Sequence, residues 1–269
     1  MSRSPWHALI TRIAEETELD GSVRVGGELL PVSRNCRLIV ETLADALYVR
    51  YFRGPATPYL AARPPGPRGG GDACLRLADA LDPRFLSRDG WTFSYRTESD
   101  VPVFVVTTGS VDRSAASCFL ELSPAIAPEV FARMVTALDG YAIGFRAELR
   151  GHETFLERIG SVVVTVSRAD ASALARVALR LRERSPFVFG QTVPAFTRPL
   201  APGIGLADHP RRARDVGRHR FHLVACGLVA AGPDAGPETR RSAVVRALTD
   251  AGLDPAALHL DPGNPEFRV

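Results

Sequence analysis

Between Trp91 and Ser167 the chain runs through a series of short strand-like segments, and this limits the fold more than any other feature. Trp91–Tyr95 alternates as a strand does, entered from the turn signal Asp89-Gly90. Val101–Thr108, Ala116–Leu122, Tyr141–Leu149 and Ser161–Ser167 also read as strands. Turns separate these segments as often as helices do. Turns suffice to join antiparallel neighbours, whereas parallel ones need a long crossover. The expectation is therefore α+β, with a mostly antiparallel sheet flanked by helices, rather than a doubly wound parallel fold.

Helical stretches bracket this run. Ser4-Pro5 suits a cap and first turn, and Trp6, Leu9, Ile10, Ile13 and Ala14 then share one face. Ser22–Leu30 alternates around Gly26-Gly27, as a small hairpin does. Ser33 can cap a helix over Arg34–Phe52, with Leu38, Ile39, Leu43, Ala46, Leu47 and Tyr51 as its stripe. Further helices are expected over Ala73–Leu81, from Pro128 to Gly140, over Ala171–Arg184 and Val216–Ala231, from Pro237, and briefly from Asp254-Pro255.

The segment GPATPYLAARPPGPRGGG, residues 54–71, holds too much Pro and Gly for a helix or a central strand. It reads as a plain connection, with a lid as the alternative. The expected organisation is a helical N-terminal part over 1–53, a loop over 54–71, and a main α+β domain over 72–269.

Composition enters mainly through one absence. All 33 basic side chains are arginine. No lysine is present to act as a base, form a Schiff base or clamp a phosphate, so anion binding falls to arginine, histidine or backbone N–H groups. The net charge of +3 is small, and no aromatic ladder accompanies the arginines, which argues against nucleic acid. No run of about 18 apolar residues spans a membrane. The opening MSRSPWHALITRIAEE lacks the pattern of a secretory signal, so a cytoplasmic location is expected. Cys36, Cys74, Cys118 and Cys226 are scattered and read as free thiols. P-loop, GxGxxG, GxSxG, HExxH and paired CxxC motifs are all missing, and no cofactor is expected.

The densest polar chemistry lies in VPAFTRPLAPGIGLADHPRRARDVGRHRFHL, Val193–Leu223. It carries His209, His219 and His222, and Arg198, Arg211, Arg212, Arg214, Arg218 and Arg220, on what reads as a loop leading into a helix. His219, His222 and Cys226 share a helical face, a spacing that permits metal; hydrogen-bonded histidines on a half-buried face are the favoured reading. The arginines beside a helix start favour an anion, phosphate above all.

PAFTRPLAPGIGLADHP followed by VGRHRFHLVACGLV resembles the C-terminal signature of the HopA-type effector family. LADALYVRYF and Asp89-Gly90-Trp91 are similar to shorter family segments, so the likeness runs from about residue 38 to residue 231. Members occur as bacterial type III effectors. Related domains accompany an aminoglycoside-phosphotransferase-like kinase in the biosynthesis of ribosomally made peptides. The kinase phosphorylates Ser or Thr of a precursor peptide and the HopA-like protein eliminates the phosphate. The resemblance thus implies a phosphothreonine-lyase-like fold and a phospho-Ser/Thr lyase acting on a precursor peptide. A degenerate domain that binds the peptide or scaffolds the kinase is the alternative. The family's Pro-Phe-x-x-Lys strand falls on Gly144–Glu148, which puts Glu148 where the basic lysine belongs. Its Tyr-x-Arg-x-Asp falls on Leu156, Arg158 and Gly160, and its Ser-Phe-Gly on Asp215-Val216-Gly217. On this alignment Glu148 and His219 are the catalytic candidates, and Arg146, Arg158, Arg198 and Arg220 the phosphate ligands.

Overall fold

Residues 5–19, 22–31, 36–52, 90–98, 101–123, 126–150, 161–210 and 216–269 are described by the computed structural model, and within them the alternating stretches become one large sheet. The loop expected over 54–71 and the helix over Ala73–Leu81 lie outside the described residues. So do Arg158, Arg211, Arg212 and Arg214.

The described parts of Met1–Ala61 and Arg212–Glu266 form one compact unit, and those of Ala62–Arg211 with Phe267–Val269 form another. The contiguous division expected at the Pro/Gly segment is therefore not the one observed. The C-terminal helices belong with the N-terminal ones, because their apolar faces are buried against each other.

The first unit contains α1 (Pro5–Glu16), strands β1 (Thr17–Glu18), β2 (Val23–Val25) and β3 (Glu28–Leu30), α2 (Cys36–Leu47) continued by a π-helical turn (Tyr48–Phe52), α5 (Val216–Ala231) and α6 (Pro237–Asp250). The hairpin between β2 and β3 turns on Gly26 and Gly27, both at positive φ, as the sequence predicted. Helix α5 packs on α2 and α6. Where α5 meets α6, a Cβ on Gly227 would stand 2.6 Å from the Val244 Cα, so only glycine permits this approach. The short helix expected from Asp254 is replaced by successive turns. The Leu258 and Leu260 carbonyls, which a helix would use internally, are taken by the Arg220 guanidinium.

The second unit holds the sheet: β4 (Trp91–Glu98), β5 (Val101–Thr108), β6 (Ala115–Leu120), β7 (Phe145–Arg150), β8 (Val162–Ser167), β9 (Arg198–Ala201) and β10 (Ile204–His209). Its order is β4-β5-β7-β8-β6-β10-β9, with every pair antiparallel. Helices α3 (Ala127–Gly140) and α4 (Ala171–Arg184) complete the unit. Phe145, Ala147 and Leu149 alternate with Arg146 and Glu148 along β7, so one face is apolar and the other polar. On the apolar face Val162, Val164, Val166, Cys118 and Leu120 are fully buried, and α3 packs there through Phe131 against Phe104. The α+β antiparallel expectation holds. The stretch before α5, expected as a loop, contains the β9–β10 hairpin. Pro202-Gly203 makes its turn, while Pro199 and Gly205 lie within the strands and pair with each other.

Candidate functional site

The polar face of the sheet gathers the chemistry of the second unit. Register across β5, β7, β8 and β6 sets Thr107, Arg146, Thr165 and Ser117 side by side in one cross-strand row. Glu148 lies two residues along β7 from Arg146, on the same face. Neighbouring strands are about 4.8 Å apart, so Arg146 and Ser117 sit about 10 Å apart at the backbone.

Two hydrogen-bonded groups occupy this row. Arg146 Nε donates to Glu148 Oε1 at 2.8 Å. The Arg146 side chain is 41% exposed, and its Nη1 and Nη2 meet no partner among the described residues. The guanidinium thus holds the carboxylate with one edge and keeps a fork for a ligand. Beside it, Ser117 Oγ lies 2.8 Å from Thr165 Oγ1 and 3.0 Å from His209 Nδ1. Ser117 and Thr165 are buried, and the half-buried imidazole extends their chain toward solvent. Buried hydroxyls need partners, and these find each other and the ring.

The residues expected from the sequence do not all converge. Arg146 and Glu148 meet, as described. Arg158 lies outside the described residues. Arg198 stands on β9, four strands or about 19 Å from β7 in the sheet, and pairs in register with Leu206 of the opposite face. Its Nη1 donates to the Phe267 carbonyl at 2.8 Å. Arg198 and Arg146 therefore cannot grip one phosphate. Arg220 is fully buried in the other unit. Nε donates to the Leu258 carbonyl at 3.0 Å, Nη2 to the Leu260 carbonyl at 2.7 Å and to Asp261 Oδ1 at 3.1 Å, and Nη1 meets His219 Nδ1. This is a clamp on the 258–261 turn, and the assignment of Arg220 to phosphate is corrected accordingly. Burial, then the Arg220 charge, lowers the pKa of His219. Both effects disfavour the protonated ring that an acid would use.

Other polar groups serve packing. Arg168 Nε donates to Asp208 Oδ1 at 2.8 Å, with Asp208 buried on the apolar face, and its guanidinium lies 4.6 Å over the Phe267 ring. Arg218 pairs with Asp45 at 2.8 Å and covers Tyr48. Cys226 Sγ is 3.7 Å from His222 Nε2, and burial raises its pKa. Among the described residues no group of three His, Cys, Asp or Glu side chains is placed to hold a metal. None of the described helices is long and apolar enough to cross a membrane.

Sequence reasoning missed Ser117 and Thr165 and left His209 without a role. The signal was present but faint: a hydroxyl inside AASCFL and another in mid-strand in VVVTVS, both mostly apolar. Only strand pairing shows that the two are neighbours.

Comparison with known proteins agrees with this architecture. The profile of the HopA1 effector protein family matches residues 96–260, a span that includes Ser117, Arg146, Glu148, Thr165 and His209. Two solved structures of Pseudomonas syringae effector proteins are similar, each with a TM-score of 0.55 and 14% identity. The one from pathovar tomato strain DC3000 aligns over 75% of this chain and 84% of its own; the one from pathovar syringae strain 61 aligns over 86% and 99%. At that identity the likeness is one of fold. No curated protein matches.

Proposed function

The chain belongs to the HopA1 effector protein family, and on that premise we propose that it eliminates phosphate from phospho-Ser or phospho-Thr of a peptide, leaving a dehydroamino acid. The observation that carries the reading is the Arg146–Glu148 pair. A cation with an exposed fork and a carboxylate share one strand face at 2.8 Å. The phosphate and the α-carbon of one phosphoresidue are separated only by Cβ and Oγ, so a phosphate on the Arg146 fork brings the α-proton toward Glu148. Glu148 removes that proton, the C–H electrons form the Cα=Cβ bond, and the Cβ–Oγ bond breaks to release phosphate. The dianion repels the neighbouring carboxylate, which opposes binding.

The proposed setting is cytoplasmic biosynthesis of a ribosomally made peptide. A separate aminoglycoside-phosphotransferase-like kinase supplies the phosphopeptide. Mass spectrometry of a phosphorylated precursor peptide incubated with the protein tests the reading. Loss of phosphoric acid and gain of a thiol-reactive alkene are expected.

A second reading, a domain that binds the phosphopeptide or scaffolds the kinase without chemistry, draws support from Arg220 and His219. Both were expected at the reaction, but Arg220 holds the 258–261 turn and His219 lies against the Arg220 guanidinium. Tight binding of a phosphopeptide that emerges unchanged would replace the first reading with this one.

A further inference from the structure

We propose that Thr107 is the residue by which this site tells a phosphoryl group from a carboxylate. The inference rests on the reading of Arg146 as the phosphopeptide grip, and it concerns binding rather than the elimination step. A guanidinium fork by itself discriminates poorly, because its geometry matches the two oxygens of a carboxylate as well as two oxygens of a phosphate. A peptide offers Asp and Glu side chains beside its phosphoresidue. The choice then falls to a further donor, one that reads the oxygen only phosphate adds.

The cross-strand row supplies that donor. Arg146 is flanked by Thr107 on β5 and by Thr165 on β8. Thr165 commits its hydroxyl to Ser117 at 2.8 Å. Thr107 is half-buried, and its hydroxyl makes no hydrogen bond among the described residues. Thr107 pairs directly with Arg146, so both side chains leave the same face of the sheet. The Cβ atoms of such a pair stand about 5 Å apart, a gap that one phosphoryl group can bridge. Glu148 holds Arg146 by Nε at 2.8 Å, which leaves Nη1 and Nη2 for the ligand. Two phosphoryl oxygens meet this fork, and the third accepts from the Thr107 hydroxyl. A carboxylate has no third oxygen, so on the same fork it leaves Thr107 to water. Thr92, the next residue outward in the row, is exposed, so the row opens to solvent on the β4 side.

Equilibrium binding of the full chain to two forms of one peptide, with phosphoserine or glutamate at the same position, tests this. Wild type, Thr107→Val and Thr107→Ser are compared. Valine keeps the shape and strand preference of threonine and removes only the hydroxyl. Thr107→Val should weaken binding of the phosphoserine peptide about 10-fold, the size of one hydrogen bond to a charged group, and leave binding of the glutamate peptide unchanged. Thr107→Ser should restore the wild-type ratio of the two affinities. That ratio is insensitive to the amount of folded protein, so a purely structural threonine would not move it. An unchanged ratio in Thr107→Val overturns the proposal, and so does a wild type that shows no preference for phosphoserine. Because no turnover is needed, the two readings fail separately. Wild type whose ratio depends on Thr107 but which never releases phosphate keeps this role and defeats the elimination reading. Phosphate release with an unchanged ratio in Thr107→Val does the reverse.

Discussion

Replacing Arg220 by methionine separates a structural arginine from a phosphate ligand. The change keeps a long apolar stem and removes the guanidinium. The Leu258 carbonyl, the Leu260 carbonyl and Asp261 lose their donor, and His219 loses its contact with Nη1. Leu258 and Leu260 are themselves buried, so water reaches their turn poorly. An orphaned buried acceptor costs about 1–3 kcal/mol, and breaking a buried ion pair from one side costs about 3–5 kcal/mol. These costs overlap, because Asp261 is partly exposed and can turn to solvent. A net loss of about 3–5 kcal/mol follows for the unit built from α1, α2, α5 and α6. Trp6 reports on that unit, since its ring lies 6.4 Å from His259 in the same turn, while Trp91 meets Phe145 edge to face in the sheet. Urea unfolding followed by fluorescence in a Trp91→Phe background reads the loss directly. Phosphopeptide affinity of the folded Arg220→Met protein should match wild type. A loss below about 1 kcal/mol together with abolished phosphopeptide binding would refute the clamp and restore Arg220 to the ligand site. Asp261→Asn, which keeps an acceptor, should cost less than Arg220→Met and guards against a variant too unstable to assay.

Other consequences concern each unit separately. Glu148→Gln should cut elimination by about 100-fold or more while tightening phosphopeptide binding, since it removes the base and the repelling charge together; full activity would remove Glu148 from the mechanism. Asp208→Ala removes the 2.8 Å contact between Arg168 and the buried Asp208 and should lower sheet stability by about 3 kcal/mol, measured through Trp91 fluorescence in urea. Gly227→Ala places a methyl against the α6 backbone and should cost about 1–3 kcal/mol in the Trp6-reported transition. Burial, then hydrogen bonding to Glu16, pushes Tyr51 up to about 12. Its folded pKa thus exceeds its unfolded value of about 10. The associated stability is full below that unfolded value and is lost as pH rises toward 12. Tyr51→Phe should abolish this alkaline loss, and an unchanged alkaline profile would count against the Tyr51–Glu16 contact.

Part of this protein is legible without coordinates. Alternation in WTFSYRTE and FRAELR, and the short, mostly apolar runs VPVFVVTT, AASCFL and VVVTVS, point to strands, the first kind with one buried face and the second buried on both. Alternation also places Arg146 and Glu148 on a common face, a fact of period alone. The family signature was readable as well, since it rests on residue order. Partnership between distant segments was not. Sequence proximity put Arg198 and Arg220 in one arginine-rich stretch. In the fold one belongs to an edge strand of the sheet and the other to the interior of a helical unit. Arg220 looks like a surface ligand in the sequence because its partners are backbone carbonyls nearly forty residues away, which carry no side-chain signature. Ser117, Thr165 and His209 likewise lie on three strands whose pairing order follows from burying the apolar face. Only the tertiary structure brings them together, because strand order is set by long-range packing and a residue's local pattern records only which face it occupies.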